Sequence, residues 1–160
     1  MLRQTRPDAV IFRDKSSRQF DALARTFVRI SRRFGIREIY INSCIGTARK
    51  YRTGIHLTSA QHRLIKRMKR ERRSVIVSTH SSGELARCRR HYPDYLLFSP
   101  IFFVEGKGNP KGLEELNQIT ATIRANIIAL GGITSDAEVK KLKTANPYGF
   151  ASIRYFTAKK

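Results

Sequence analysis

Seven short apolar runs recur along the chain, and most are separated by enough residues to form a helix. Near-continuous apolar runs of this length are typical of strands buried on both faces, as in a parallel sheet. The runs are AVIF (Ala9–Phe12), IYI (Ile39–Ile41), GIHL (Gly54–Leu57), VIV (Val75–Val77), DYLLF (Asp94–Phe98), IIAL (Ile127–Leu130) and GFASI (Gly149–Ile153). The sequence therefore predicts about seven parallel strands.

Between these runs, apolar residues recur with the three- and four-residue spacing of an amphipathic helix. One such stripe runs from Phe20 to Ile30, a second from Leu64 to Met68 and a third from Leu113 to Ile123. The segment between Ile41 and Gly54 is too short for a full helix. Strands and helices that alternate in this way predict an α/β fold.

A capping motif, Ser or Thr followed three residues later by Glu or Gln, comes after four of the apolar runs. A single motif of this kind is weak evidence. Four of them placed after strands indicate repeated strand–helix units. The motifs are Ser16–Gln19, Thr58–Gln61, Ser81–Glu84 and Ser135–Glu138.

Cationic and hydroxyl side chains stand where several predicted strands end. The carboxyl ends of parallel strands meet at one edge of the sheet, where α/β folds bind their ligands. A phosphate or diphosphate ester is the expected guest there, because lysine in a Gly-rich loop and bare glycine amides suit an anion. Gly131–Gly132 can also be read as an ordinary tight turn. The residues concerned are Arg13, Lys15, Asn42, Ser43, Ser78, His80, Ser99, Lys107, Gly131, Gly132 and Arg154.

Length and composition narrow the class of protein. With 160 residues and 41% hydrophobic residues, the chain is expected to form one domain over residues 1–160 with a real core. Its two cysteines, Cys44 and Cys88, form neither a disulfide framework nor a C-x-x-C metal motif. No apolar run reaches the ~20 residues of a membrane helix, and no secretory signal stands at the start. A soluble, cytoplasmic protein is therefore expected.

The charge is strongly positive, with 32 Lys and Arg against 12 Asp and Glu, a formal net charge of +20. Basic clusters lie at Arg29–Arg37, Arg63–Arg73 and Arg87–His91, on predicted outer helices or their ends. They are read either as solvated helix faces or as a surface that binds the backbone of a nucleic acid. No recognised nucleic-acid motif decides between the two readings.

Motifs in a fixed order cover nearly the whole chain and resemble one family. They are RDK (Arg13–Lys15), IN (Ile41–Asn42), GIHL, VSTH (Val77–His80), DYLLFSPIF followed by Lys107, GLEEL (Gly112–Leu116) and IIALGGIT (Ile127–Thr134). In this order they resemble the thiamine phosphate synthase and thiazole tautomerase family, whose fold is a TIM-type (β/α)8 barrel. Its synthase joins hydroxymethylpyrimidine diphosphate to a thiazole phosphate with Mg²⁺ and releases pyrophosphate. Its tautomerase rearranges a thiazole carboxylate phosphate.

The resemblance implies a role for each matching residue. Arg13, Lys15 and Asn42 match diphosphate-binding positions. Ser78 matches a pyrimidine-pocket hydroxyl. Gly131 and Gly132 match the amides that bind the thiazole phosphate, and Arg154 stands where the family has a serine and is expected to add charge there. Lys107 matches the lysine on the leaving pyrophosphate, and His80 resembles the acid/base of the tautomerase. His80, Lys107 and Ser78 are thus the expected catalytic residues.

Two departures from the family concern the metal. The family's metal-binding aspartates correspond here to Ser43 and Gln61, and Asp14 is the nearby strand-end acid. Mg²⁺ prefers carboxylate oxygens together with substrate phosphates. The resemblance therefore implies Mg²⁺ for a synthase, whereas the residues offer no metal site. Three functions stay open: the synthase, a metal-independent tautomerase that uses His80, and a non-catalytic basic barrel that binds nucleic acid.

The barrel is expected to lack its first strand–helix unit and its last helix. Three explanations are considered: Met1 is internal to a longer protein, the segment Met1–Pro7 fills the gap poorly, or two chains complete each other as a homodimer. The first is favoured. His56, inside the GIHL run, is expected to be a hydrogen-bonded core residue rather than a ligand.

Overall fold

The computed structural model describes residues 7–157, in which seven parallel strands alternate with helices. The strands lie side by side in chain order, and each pairs in parallel with the next. They are β1 (Ala9–Phe12), β2 (Glu38–Asn42), β3 (Gly54–Leu57), β4 (Val75–Thr79), β5 (Tyr95–Phe98), β6 (Ile127–Leu130) and β7 (Gly149–Ala151). The predicted strands AVIF, GIHL and IIAL have the bounds expected from the sequence.

Helices lie on the outside of the sheet, and all but the last connect consecutive strands. They are α1 (Phe20–Arg33), α2 (Ile45–Lys50), α3 (Ile65–Arg70), α4 (Ser82–Arg89), α5 (Gly112–Thr122), α6 (Asp136–Leu142) and α7 (Arg154–Thr157), with 3-10 turns at Ser59–Leu64 and Lys143–Ala145. The α2 helix has six residues, in agreement with the short connection seen in the sequence. Within residues 7–157 no helix is long and apolar enough to cross a bilayer.

The sheet curls into a half-barrel of the TIM type. Within the described residues, β1 pairs only with β2, and β7 pairs only with β6. One helical turn, α7, follows β7. Whether the segment Met1–Pro7 closes the barrel stays a prediction, because residues 1–6 lie outside the described part of the chain.

Both faces of the sheet are covered by apolar side chains. The convex face packs against the helices, and side chains such as Ile41, Ile55, Val77 and Phe98 are fully buried there. The concave face carries a smaller cluster centred on Tyr40, Ile76 and Leu97. Burial on both faces explains why the strands appear in the sequence as near-continuous apolar runs.

Tyr40 fills the amino end of the concave face. Its hydroxyl donates to the carboxylate of Glu38 and lies 2.7 Å from Ser74 Oγ. Gly54 on the next strand leaves room for the ring, since a Cβ there would stand 2.5 Å from Tyr40 Cδ1. Burial, followed by the bond to Glu38, raises the pKa of the Tyr40 phenol, so it stays a donor. This end of the concave face is therefore occupied by protein.

The predicted capping motifs are formed in full at two of the four sites. Thr58–Gln61 and Ser135–Glu138 each make both bonds of a capping box, at the starts of a 3-10 turn and of α6. At Ser81–Glu84 the serine accepts from the Glu84 amide, but the Glu84 carboxylate accepts from the amide of His80 instead. These motifs start helices as the sequence indicates.

The capping motif predicted at Ser16–Gln19 is wrong. Helix α1 begins at Phe20 with no side-chain cap. The carboxylate of Asp14 accepts hydrogen bonds from the amides of Ser16 and Ser17, at 3.0 and 3.1 Å. An aspartate turn therefore replaces the box, because Asp side chains bond amides two or three residues on.

Left-handed residues end several of the helices. Gly35 follows α1 with φ 71°, as expected for a glycine cap. The corresponding positions after α2, α3 and α4 hold Arg52, Arg72 and Tyr92, with φ of 51°, 55° and 54°. A left-handed conformation costs about 1–2 kcal/mol for a residue other than glycine. The chain thus places long side chains where glycine would be less strained.

Candidate active site

The residues that the sequence assigns to a phosphate mouth lie at one edge of the sheet. Arg13 and Lys15 follow β1, Asn42 ends β2, and Ser78 lies near the end of β4. All strands are parallel, so their carboxyl ends share this edge. The other members lie at the same edge: His80 after β4, Lys107 in the loop after β5, Gly131 and Gly132 after β6, and Arg154 at the start of α7.

Three of the strands contribute to a buried hydrogen-bond network. The imidazole of His56, on β3, lies between side chains of its two neighbouring strands. Its Nδ1 is 3.1 Å from the amide nitrogen of Asn42, and its Nε2 is 2.7 Å from Ser78 Oγ. His56 is buried, with 6% of its surface exposed. The network fixes the relative positions of Asn42 and Ser78.

The bonds of this network determine where its protons lie. The backbone oxygen of His56 can only accept, and it lies 3.3 Å from the Asn42 side-chain nitrogen. That contact identifies the nitrogen end of the amide, which therefore also donates to Nδ1 of His56. A neutral His56 then carries its proton on Nε2 and donates to Ser78 Oγ. The hydroxyl proton of Ser78 remains available to donate to a ligand at the mouth.

Burial and, to a smaller extent, the positive charge of Arg13 together lower the pKa of His56 to about 4. The ring is thus neutral at pH 7 and holds Ser78 in place rather than moving protons. The sequence correctly indicated a hydrogen-bonded core residue, but it missed that the partners of His56 are two candidate site residues.

Protonation of His56 is expected to make stability depend on pH. An unfolded histidine takes up a proton near pH 6.5, whereas the folded one does so near pH 4. The free energy of unfolding should therefore be highest above pH 6.5. It should fall by about 2–3 kcal/mol as the pH drops to 4. Urea unfolding at a series of pH values measures this. The variant His56→Gln should have a flatter profile in this window, and parallel profiles would contradict the assignment.

His80 belongs to a second, separate contact. Its Nδ1 lies 3.2 Å from both the carbonyl oxygen and Oγ of Ser99, at the end of the neighbouring strand β5. The carbonyl can only accept, so Nδ1 carries the proton when the ring is neutral. Nε2 then has a free lone pair on an exposed side chain. This arrangement resembles a base and the group that orients it.

Gly131 and Gly132 pack closely against the segment that follows β5. Their φ angles are 100° and 72°. A Cβ on Gly131 would lie 2.8 Å from Pro100 Cα, and one on Gly132 would lie 2.8 Å from both Phe102 C and Phe103 O. Both glycines are therefore required by the close approach of two backbones, which an ordinary tight turn would not impose. The turn stands at the edge where a phosphate would bind.

Lys107 and Arg154 share the edge but not the network. Lys107 lies between Gly106 and Gly108, which have φ of 73° and 71°, and its side chain is exposed. Arg154 is exposed at the start of α7. Neither side chain makes a hydrogen bond or ion pair with a described residue. The structure thus joins Asn42 and Ser78 through His56. Lys107 and Arg154 remain exposed at the same edge, and, among the described residues, Arg13 makes no hydrogen bond to the network.

The residues at the family's metal positions do not form a Mg²⁺ site. Ser43 has φ 60° and donates its amide to the His56 carbonyl. Gln61 uses its side-chain oxygen to accept from the Thr58 amide. The carboxylate of Asp14 is bound by the amides of Ser16 and Ser17, which lower its pKa. No group of three or more His, Cys, Asp and Glu side chains suitable for a metal occurs among residues 7–157. The donors therefore do not fit a protein-held Mg²⁺.

Comparisons with known proteins find relatives in sequence and in fold. A curated protein of Geobacter sulfurreducens, named as a proposed thiamine-phosphate synthase, is 29% identical over 147 residues, which cover 88% of this chain and 68% of that protein. The fold is similar to thiamine phosphate pyrophosphorylase from Pyrococcus furiosus, with a TM-score of 0.74, 19% identity and coverage of 89% and 70% of the two chains. It is also similar to FabK from Thermotoga maritima, with a TM-score of 0.73, 12% identity and coverage of 92% and 50%.

A family model gives the most extensive match. The model described as thiamine monophosphate synthase matches residues 1–156, which is almost the whole chain. The motifs at the carboxyl ends of the strands lie within this match. The chain therefore belongs to the thiamine monophosphate synthase family.

Proposed function

We propose that this protein is a synthase-type transferase that joins hydroxymethylpyrimidine diphosphate to a thiazole phosphate and releases pyrophosphate. Family membership supports a synthase role in thiamine biosynthesis. The observation that carries the proposal is the arrangement at the mouth, where His56 holds Ser78 Oγ at 2.7 Å and the cations Arg13 and Lys15 follow β1 at the same edge of the sheet. A fixed hydroxyl and cations at one edge of the sheet suit a diphosphate ester.

The bond-making step needs charge stabilisation rather than proton transfer. The thiazole nitrogen donates its lone pair to the methylene carbon of the pyrimidine, and the bond from that carbon to the diphosphate oxygen breaks. The bonding electrons leave with the pyrophosphate. Arg13 and Lys15 would hold the diphosphate, and Lys107 would neutralise the charge that develops on it. Asn42, whose side-chain nitrogen donates to His56, would act by positioning the network beside it. Flanking glycines give the Lys107 loop freedom to close.

Binding of the two partners would use opposite sides of the mouth. Ser78, which can donate its hydroxyl proton, would bind a ring nitrogen or substituent of the pyrimidine. The thiazole phosphate would lie at Gly131 and Gly132, whose lack of side chains lets an anion approach the backbone. Arg154, at the rim near the end of β7, would add a positive charge to that phosphate.

The proposal is tested by supplying both substrates and measuring thiamine phosphate and pyrophosphate, with and without Mg²⁺. We expect thiamine phosphate and pyrophosphate to form in equal amounts. A protein that instead converts a thiazole carboxylate phosphate into its tautomer would be the metal-independent isomerase, with His80 as the acid/base. The proposed function is wrong if the two synthase substrates do not react, the thiazole carboxylate phosphate does not react, and neither phosphate ester binds in a calorimetric titration.

A further inference from the structure

Arginines gather at the edge of the sheet opposite the candidate active site. Each loop that enters one of the strands β2 to β6 contributes at least one of them. We call this the amino-edge surface, and it consists of the exposed residues Arg37, Arg52, Arg72, Arg89, Arg90 and Arg124. The sequence placed the basic clusters on helices or their ends. The parallel topology collects them at one edge, because all helices of a βα repeat end on the same side.

Two clefts open on this surface, and each has three arginines in its wall. The first has a volume of about 580 Å³ and contains Arg32, Arg37 and Arg52 beside the starts of β2 and β3. The second has a volume of about 520 Å³ and is lined by arginines beside the starts of β5 and β6, namely Arg89, Arg90 and Arg124. Arg72 stands just before β4. It therefore lies between the two clefts, both along the chain and in the order of the strands.

The guanidinium groups of the amino-edge surface are not used by the fold. Within residues 7–157, none of its six side chains donates a hydrogen bond or forms an ion pair. In contrast, Arg32 donates to the Tyr51 carbonyl at 2.7 Å, and Arg73 donates to the carbonyls of Ala48 and Thr53. The six exposed arginines are therefore available to a ligand.

Carboxylates at the same edge do not neutralise these arginines. Asp94 is held by Lys69 Nζ at 2.7 and 2.8 Å. Glu38 accepts from the neutral Tyr40 hydroxyl and keeps its charge, but it stands beside three arginines of the first cleft. Glu71 is bound by Arg49, and the pKa of its carboxyl is lowered to about 2, chiefly by that bond. Two of the three acids are thus paired with other cations, and the third does not cancel the charge of six arginines, so the edge keeps a positive excess.

Backbone strain marks three of the long side chains at this edge. Arg52, Arg72 and Tyr92 occupy left-handed positions after helices, where glycine or asparagine is favoured. Attraction to the helix dipole explains a cation in the last helical turn. It does not explain an aromatic residue at such a position. Tyr92 is 82% exposed and lines the second cleft, so its ring presents a flat, open face.

We propose that the amino-edge surface binds single-stranded nucleic acid, with the arginines on its phosphates and Tyr92 stacked on a base. Strands in a sheet are about 4.8 Å apart, so the starts of β2 to β6 span roughly 19 Å. That length exceeds one phosphate ester and suits several nucleotides. A stacked aromatic ring requires an unpaired base, which favours a single strand over a duplex. The site is independent of the proposed enzyme activity.

Binding is measured by the fluorescence anisotropy of a labelled oligouridylate of 20 nucleotides. For single strands, the logarithm of the binding constant falls with the logarithm of salt concentration by about 0.7 per phosphate contacted. Six contacts would give a slope near −4 by that rule. Absence of binding at 50 mM salt would overturn the proposal, whatever the outcome of the thiamine phosphate assay.

Matched triple variants locate the surface. Arg37→Gln/Arg52→Gln/Arg72→Gln should weaken binding at least ~10-fold and reduce the slope by about 2. A second variant, in which Arg89, Arg90 and Arg124 are each replaced by Gln, should do the same. The control replaces Arg25, Arg29 and Lys141, exposed residues of α1 and α6, and removes the same charge. Equal losses in the control would show general attraction by net charge and reject a defined surface.

Two further measurements separate nucleic acid from other polyanions. Tyr92→Asn keeps a residue that tolerates the left-handed conformation but removes the ring, so it should weaken binding about 10-fold without changing the salt slope. Vesicles of phosphatidylglycerol should bind no better to the wild type than to the Tyr92→Asn variant. If vesicle binding requires the same residues and is as tight as binding of the oligonucleotide, the surface is a membrane site and the proposal is wrong.

Discussion

Replacing Gly132 by alanine is expected to lower the free energy of unfolding by about 3 kcal/mol or more. The left-handed φ of 72° costs a residue with a Cβ about 1–2 kcal/mol. The new Cβ would also stand 2.8 Å from two backbone atoms, Phe102 C and Phe103 O. Backbone atoms cannot move aside as a side chain can, and overpacking of this kind costs typically 1–3 kcal/mol. Denaturant unfolding of the purified variant measures the loss.

Gly108 provides a matched control for this prediction. Its φ of 71° is nearly that of Gly132, but nothing lies within 4 Å of a Cβ built there. Gly108→Ala should therefore show only the conformational part of the penalty, about 1–2 kcal/mol. Equal losses at the two positions would show that the close approach of the β5 and β6 loops does not constrain Gly132.

Replacing Arg13 by glutamine is expected to have two effects. If Arg13 holds the diphosphate, kcat/KM for the proposed transfer should fall about 10²–10³-fold, as expected when a group that stabilises developing charge is removed. In addition, the pKa of His56 should rise, because the charge of Arg13 lowers it in the wild type. An NMR titration of the His56 ring follows the second effect without any substrate.

Arg18→Gln is the control for the Arg13 variant, since Arg18 is exposed in the same loop and carries the same charge. It should leave both kcat/KM and the pKa of His56 nearly unchanged. A rise in the pKa of His56 without loss of activity would place Arg13 near the network but remove it from the catalytic machinery. No change in either quantity would remove it from the site altogether.

The sequence predicted the sheet well because its signals are local. Ala9–Phe12, Gly54–Leu57 and Ile127–Leu130 are strands with the bounds expected from their apolar runs. The capping motif at Ser135–Glu138 is likewise a contact between residues three apart. The motif at Ser16–Gln19 was wrong because the Asp14 carboxylate takes the Ser16 amide and Ser17 Oγ takes the Gln19 amide, the two donors that the box would use.

Contacts between strands explain what the sequence did not predict. The partners of His56 are Asn42 and Ser78, which lie 14 and 22 residues away along the chain. Nothing in the GIHL run indicates them, and only the register of neighbouring strands brings the three side chains together. The close packing of Gly132 on Phe102 also depends on two loops that are distant in sequence. Long-range pairing is thus the part of the site that motifs alone leave open.

The open edges of the half-barrel also affect how the protein behaves in concentrated solution. In the described part of the chain, β1 and β7 each leave one side of their backbone without a neighbouring strand, and such edges can pair between molecules. A net charge of +20 keeps molecules apart at low ionic strength. At 1 M salt the screening length falls to about 3 Å, and this colloidal protection disappears. Salt strong enough to strip bound polyanions would therefore also favour the growth of aggregates from these edges.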